Sequence, residues 1–184
     1  MAIGVYLASV CIPYNGYQKP YNMVTACIPI VKNQDDCITI NDGSNIIFKN
    51  NKCSGGHGIL ISSISSGKSV TDVTISRNTV TDSMYGFRIK VKASATSVLV
   101  SGITYSGNTL SSINEYGVLI IQSYLDDEGT PGTGGPILDM NFTGSTTTIK
   151  VGDDTKHLAI DCGACSGKDR GYKYRSQSGT AKVE

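Results

Sequence analysis

Two adjacent carboxylates are the most reactive feature of this sequence. Asp35 and Asp36 occur in the stretch NQDDCITIN, directly before a cysteine and an alternating apolar run. Like charges this close repel each other, so one carboxyl of such a pair tends to keep its proton to a higher pH. A solvated turn or a calcium-binding acidic loop also tolerates the pair, so the neighbouring elements must decide between these interpretations.

Other side chains with chemical potential stand beside later apolar runs. His57 lies just before the run ILI, Arg88 and Lys90 lie within FRIK, and Tyr116 precedes VLII. Each has an ordinary alternative role, as an exposed turn residue, an outward-facing strand charge or a packing aromatic. If the apolar runs stack, however, carboxylates, an imidazole, two cations and a phenol share one face.

The apolar runs form two interleaved series. The first begins at Ile38, Ile59, Phe87 and Val118, and the second at Ile46, Val73, Ile103 and Leu138. Their loose period of about 20–35 residues is typical of solenoid repeats. Alternation with period two indicates strands, so we predict a parallel β-helix, with a β-sandwich of more closely spaced strands as the alternative.

Stacking would turn this pattern into a site. Equivalent positions on neighbouring coils of a sheet lie about 4.8 Å apart, so the four groups fall within roughly 15 Å of one another. Asparagine-rich strand ends, KNN, SRN and SGN, are interpreted as turn residues that tolerate left-handed backbone angles.

Composition narrows the function classes. The 184 residues carry a formal net charge of +1, which gives no support to nucleic acid as a general partner. No apolar run approaches the roughly 20 residues that a membrane helix needs. Six cysteines, with the sequon Asn141-Phe142-Thr143, favour a secreted, extracellular protein.

The combination of cations and paired carboxylates suits a polyanionic sugar. Arg and Lys bind carboxylates, and glycosidic hydrolysis with inversion uses one protonated acid and one ionised base. A carboxylate doublet can supply both protonation states when mutual repulsion separates the two pKa values.

Four motifs in order, NQDDC, CSGGHG, RIK and EYG, resemble those of polygalacturonases, glycoside hydrolase family 28. The resemblance covers about residues 31–165 and implies an all-β, right-handed parallel β-helix truncated to its C-terminal coils. It leaves residues 1–30 as a divergent N-terminal segment and 166–184 as a polar tail. It implies pectin or polygalacturonate as the partner and neither metal nor cofactor, and an uncapped solenoid end favours self-association.

The resemblance also assigns roles within those motifs. It implies Asp35 as the general acid, Asp36 as one carboxylate that activates water, and His57 as a support for the acid. Arg88 and Lys90 resemble the groups that bind substrate carboxylates, and Tyr116 resembles a subsite tyrosine. Cysteines also match: Cys37 and Cys53 resemble the disulfide beside the active site, and CGAC near the end resembles a further pair. Together these assignments predict hydrolysis of α-1,4 bonds with inversion.

One departure keeps an alternative open. The family carries an Asn-Thr-Asp motif one coil upstream of the doublet, whose Asp shares the base role, but this sequence offers Pro13-Tyr14-Asn15. An asparagine cannot take a proton from water, so a catalytically inactive pectin-binding homologue or a non-functional fragment is the second interpretation. An exo-acting enzyme or a rhamnogalacturonase is a third, although His57 with RIK favours homogalacturonan.

Overall fold

The fold consists of short strands joined by tight turns. The structure, a computed structural model, describes residues 5–6, 24–26, 30–32, 34–143, 147–151, 155–166 and 179–183. The strands are β1 (Val5–Tyr6), β2 (Val24–Ala26), β3 (Val31–Lys32), β4 (Ile38–Ile40), β5 (Gly43–Lys49), β6 (Lys52–Ser54), β7 (Ile59–Ile64), β8 (Ser69–Ser76), β9 (Thr79–Lys92), β10 (Leu99–Ser106), β11 (Thr109–Tyr124), β12 (Ile137–Phe142), β13 (Thr147–Val151), β14 (Lys156–Asp161), β15 (Cys165–Ser166) and β16 (Gly179–Val183).

The first sequence series forms one parallel stack, which we call the front stack: residues 38–40, 59–61, 87–89, 118–120 and 158–160. Its register places Ile38 beside Ile59, Ile59 beside Phe87, and Phe87 beside Val118. These residues are buried, and a fully buried large aliphatic or aromatic side chain contributes about 1.5–3 kcal/mol. Hydrophobic alternation therefore fixes which side chains face outwards, because a slip of one residue would reverse every face.

The second series forms a parallel sheet on another side of the coil. Its order is β15-β12-β10-β8-β5-β2, and Ile46, Val73 and Ile103 lie in register. The fourth buried member is Met140 rather than the predicted Leu138, which aligns with the outward Ser101 because Asp139 between them has a φ of 50° and shifts the alternation. Aromatic packing joins the two sheets, because the Phe87 and Tyr105 ring centroids lie 4.5 Å apart.

A third stack completes each coil and was not predicted from the sequence. Val31, Cys53, Val80, Leu110 and Ile149 lie in register along it. All five are buried, so each coil has three apolar faces around one core. With this third face, the predicted solenoid is confirmed as a right-handed parallel β-helix rather than a sandwich.

The asparagine-rich strand ends carry two functions. The middle residues Asn50, Arg77 and Gly107 adopt left-handed angles, with φ of 60°, 54° and 62°, as the turn interpretation expects. The asparagine after each has a different role, which the sequence did not reveal. These three form an asparagine ladder: Asn51, Asn78 and Asn108, each 1% exposed.

Side-chain amides connect successive rungs of this ladder. Asn51 donates from its backbone N and its Nδ2 to the Asn78 Oδ1, at 3.0 and 2.9 Å. Asn78 donates in the same way to the Asn108 Oδ1, at 3.0 and 3.1 Å. The backbone N of Asn108 donates to Thr147 Oγ1 at 3.3 Å, where the column ends. The ladder therefore satisfies buried polar groups at every turn.

Antiparallel strands lie at two edges of the larger sheet. β1 pairs with β4, and β16 pairs with β13 through five residue pairs from Thr147 to Val151. Among the residues that the structure describes, no helix has the length and apolar character to cross a bilayer.

Candidate active site

The predicted carboxylate pair lies in a short turn that leads into the front stack. The backbone N of His57 donates to the Asp35 carbonyl at 3.2 Å, and Cys37 N donates to the Gly58 carbonyl at 2.8 Å. These two bonds fix the doublet beside the histidine of the next coil. The His57 Nδ1 lies 3.4 Å from Asp35 Oδ1 and 3.6 Å from Asp36 Oδ1.

The two carboxylates have different surroundings. The Asp35 side chain is 88% exposed, whereas that of Asp36 is 22% exposed. Thr39 Oγ1 donates to Asp36 Oδ2, and the backbone N of Asp36 donates to Asp35 Oδ1 at 2.9 Å. Asp36 is thus held by its own strand, while Asp35 reaches into solvent, where a ligand can approach.

A cystine anchors the doublet from behind. Cys37 and Cys53 form a disulfide, as the family resemblance implied, with Cα atoms 5.8 Å apart. The bond closes a loop of 16 residue steps, which contributes about 3 kcal/mol in the chain-entropy model. Cys162 and Cys165 form a second disulfide.

Glycines set the spacing of the row beside the doublet. Each residue two places before the front stack belongs to what we call the active-site row: Asp36, His57, Tyr85, Tyr116 and Lys156. Glycine follows three of them, and an added Cβ at Gly58 would lie 2.2 Å from the Tyr85 carbonyl oxygen. Only glycine allows this approach, so neighbouring coils come close together at this position.

The row is continuous from the histidine onwards. The His57 and Tyr85 ring centroids lie 6.3 Å apart, and the Tyr85 and Tyr116 rings are also 6.3 Å apart and nearly parallel, at 14°. Lys156 pairs in register with Tyr116, and its Nζ lies 5.9 Å from that ring. The structure therefore brings the predicted Tyr116 into the same row as His57.

The two predicted cations extend outwards from β9 on the same side. The Arg88 Cζ lies 4.2 Å from the Tyr85 ring centroid, and the Lys90 Nζ lies 4.6 Å from that of Tyr124. Lys90 is close enough to the doublet for its charge to lower the pKa of Asp35. The sequence-predicted site residues are thus connected through direct contacts, ring stacking or electrostatic interaction.

The electrostatics of the doublet differ from the expectation for a proton donor. The pKa of Asp35 lies below its ordinary value, first because the Asp36 backbone N–H donates to the carboxylate. The hydrogen bond from His57 lowers it further, burial opposes these two effects to a smaller extent, and the charges of His57 and Lys90 lower it by the least. In the ligand-free chain Asp35 is therefore stabilised as the ionised base, whereas the predicted general acid requires a proton.

The same groups are candidate ligands for a cation. One ligand atom each from Asp35, Asp36 and His57 lies within 4.8 Å of the other two. Oxygen and nitrogen donors of this kind bind divalent metals. The contacts among the three side chains account for their arrangement without an ion.

Sequence reasoning missed two residues of the site, Tyr85 and Glu115. Tyr85 is 8% exposed and lies between His57 and Tyr116. Burial raises the pKa of the Tyr85 phenol, and the Glu115 carboxylate raises it further. A signal was present, because an aromatic ring followed by glycine precedes three front-stack strands, as HG, YG and YG. The upstream segment Pro13-Tyr14-Asn15 lies outside the described residues.

The chain is similar to known proteins over most of its length. Residues 21–173 match the model of glycosyl hydrolases family 28. Endopolygalacturonase I of Aspergillus niger is 46% identical over 142 residues, which cover 74% of this chain and 38% of that protein. A polygalacturonase of Penicillium griseoroseum is 40% identical over 149 residues, covering 79% of this chain and 39% of the relative. The chain belongs to glycosyl hydrolases family 28.

A solved structure agrees in fold. Endopolygalacturonase I of Stereum purpureum, complexed with two galacturonates, has a TM-score of 0.74 and 62% sequence identity. The match covers 78% of this chain and 42% of that structure. The chain thus spans about two fifths of the length of the relatives that it matches.

Proposed function

We propose that this chain hydrolyses the α-1,4 glycosidic bonds of polygalacturonate with inversion. The observation that supports this most directly is the close approach of Asp35, Asp36 and His57, with their ligand atoms within 4.8 Å, on the same face as Lys90. Family membership and a relative that binds galacturonate support the same substrate class.

Binding begins with the substrate carboxylates. Arg88 and Lys90 project from neighbouring outward positions of β9, and neither has a carboxylate partner within 4.0 Å among the described residues. Guanidinium and ammonium groups without a carboxylate partner in the protein are available to bind a uronate carboxylate. Tyr116, which lies on the neighbouring coil, would contact a sugar of the substrate through its ring.

Hydrolysis then requires a proton for the leaving oxygen. In the proposed reaction Asp35 donates that proton and Asp36 accepts one from water, while His57 holds Asp35 in place. A bound uronate would neutralise nearby positive charge and remove water from the exposed Asp35 carboxyl, and both effects raise its pKa towards that of a general acid. The lowered pKa of the free chain is compatible with this role only if ligand binding reverses it.

Stereochemistry rests on the separation of acid and base. Inverting enzymes usually keep the two carboxyl groups about 6.5–9.5 Å apart to hold a water between them. At least one oxygen of each doublet carboxylate lies within 4.8 Å of the other, so the attacking water would lie beside the pair.

A second function is favoured by the electrostatics of the doublet. A chain that keeps Asp35 ionised, with Arg88 and Lys90 facing outwards, would bind pectin without cleaving it. We propose secretion for either function, because two disulfides form among the described residues and such bonds persist in oxidising compartments.

Release of reducing ends from polygalacturonate separates the two functions. Asp35→Asn should lower the rate by about 10²–10⁴-fold if the residue is the general acid. Asp139→Asn is the matched control, because Asp139 is exposed on β12, in the other sheet, and asparagine tolerates its φ of 50°. Equal rates for native chain and Asp35→Asn would remove Asp35 from the chemistry. Absence of release, with binding that Lys90→Ala abolishes, would establish the binding function instead.

A further inference from the structure

The Arg88 guanidinium lies in the site with no hydrogen-bonding or ionic partner among the described residues. Its Nε is buried, and among the described residues it has no hydrogen-bond partner. No carboxylate lies within ion-pair distance of its guanidinium in the same part of the chain. A long side chain without such contacts normally samples many rotamers, which would cost binding free energy when a ligand fixes one of them.

Apolar neighbours confine the stem of Arg88. In the front stack its register partners are Leu60 on one side and Leu119 on the other, and both are buried. The guanidinium then meets the face of Tyr85, with its Cζ 4.2 Å from the ring centroid. This distance lies well within the range in which a guanidinium is attracted to an aromatic ring.

Tyr85 is itself held firmly. It stacks on the Tyr116 ring of the next coil, and the close approach of Gly58 to its carbonyl oxygen fixes its backbone. The ring therefore forms a rigid base under the guanidinium.

We infer that Tyr85 is a positioning residue that orients the Arg88 guanidinium to bind a uronate carboxylate. Stacking occupies one face of the guanidinium and leaves its terminal N–H groups at the edge, where a carboxylate binds in a bidentate manner. The inference deepens the proposed function and depends on it for the identity of the ligand.

The first test needs no ligand. Nuclear magnetic resonance detects the Arg88 Nε–Hε group, whose proton should be shifted by the Tyr85 ring current and protected from exchange. Tyr85→Leu should abolish the shift and Tyr85→Phe should keep it, because phenylalanine retains the ring. Tyr124→Leu is the matched control, since Tyr124 lies under Lys90 and should leave the Arg88 signal in place. An Arg88 signal unaffected by Tyr85→Leu would overturn the inference.

The second test measures binding of a galacturonate trimer by calorimetry. Tyr85→Leu should weaken binding about three- to tenfold, and Tyr85→Phe should restore most of the loss. In an Arg88→Ala background, Tyr85→Leu should add no further loss if it acts through Arg88.

The outcomes of the two tests are distinct. An undiminished further loss in the Arg88→Ala background would contradict the positioning role, because Tyr85 would then act independently of Arg88. If the native chain fails to bind the trimer, the proposed function fails, whereas the ligand-free resonance still decides whether Tyr85 orients Arg88.

Discussion

Two columns of polar side chains run along the same solenoid and differ in almost every physical respect. The asparagine ladder repeats one residue type, lies within the protein and bonds each amide to the next. The active-site row instead varies along the coils, from a carboxylate to an imidazole, two phenols and an amine. Its final amine, that of Lys156, is exposed to solvent, and its carboxylate, that of Asp36, is partly exposed.

The difference shows how a repeat architecture separates stability from chemistry. Identical residues at one position give identical hydrogen bonds on each coil, which stabilises the stack but creates no reactive centre. Different residues at another position bring together groups that are distant in the chain and chemically complementary. Substitutions in the ladder should therefore affect unfolding, whereas those at the outer surface of the row should affect binding and proton transfer.

The largest effect is expected in the middle of the ladder. Asn78→Ala removes the acceptor of two Asn51 donors and the Nδ2 group that donates to the Phe48 carbonyl and to Asn108 Oδ1, which keeps only its bond from the backbone N of residue 78. Buried polar groups that lose a bond cost about 1–3 kcal/mol each, so we expect about 3–5 kcal/mol less free energy of unfolding in urea titrations. Asn141→Ala, at an exposed asparagine, is the control and should change this value by less than about 0.5 kcal/mol. Equal effects would contradict a structural role for the ladder.

The next effect tests whether the backbone of the row is as rigid as the ladder. Gly58→Ala forces a Cβ to 2.2 Å from the Tyr85 carbonyl oxygen at a φ of +86°. We expect a loss of more than about 3 kcal/mol in the free energy of unfolding, because strain and steric overlap add. Gly67→Ala is matched to it, with a φ of +74° but no atom within 4 Å, and should cost only about 1–2 kcal/mol. Similar losses for the two variants would show that close stacking does not constrain the row.

The sequence was sufficient to predict the strands whose inward and outward residues differ strongly in polarity. The front stack was predicted in its observed register because Ile38, Ile59, Phe87 and Val118 start apolar runs beside polar residues. The third stack was missed because its apolar residues stand singly between polar ones: Cys53 lies between Lys52 and Ser54 in the short strand β6, and Val80 lies between Thr79 and Thr81 at the start of the long strand β9. A stretch with a single buried residue shows too little alternation to be recognised from the sequence as a separate strand.

The site was predictable in its residue types and only partly in its contacts. Motif order identified the doublet, His57, Arg88, Lys90 and Tyr116, but not the ring beneath Arg88. Tyr85 carries no charge and belongs to none of the four motifs, so only the aromatic-glycine pattern could have revealed it. The direction of the Asp35 pKa depends on which N–H and which imidazole approach the carboxylate, and those contacts exist only after folding.

The smallest expected effect is a shift in a carboxyl pKa, which distinguishes the site of the active-site row from the asparagine ladder. Asp35 should titrate below its ordinary pKa in carboxyl nuclear magnetic resonance, because the Asp36 N–H, His57 and Lys90 all favour the ionised form. His57→Ala should raise the Asp35 pKa more than Lys90→Ala does, since His57 supplies both a hydrogen bond and a charge. Neither variant should raise it fully to the ordinary value, because the Asp36 N–H remains.

A lowered pKa in the folded chain also fixes the sign of the effect on stability. Ionised Asp35 contributes to stability above its ordinary pKa of about 3.9, and the contribution is lost as pH falls through the lower folded value. The contribution is small because the side chain is 88% exposed. Asn78→Ala should instead cost the same at every pH, since amides do not titrate in this range. A pH-dependent loss at Asn78, or an Asp35 pKa that His57→Ala leaves unchanged, would contradict this separation of the structural column from the reactive one.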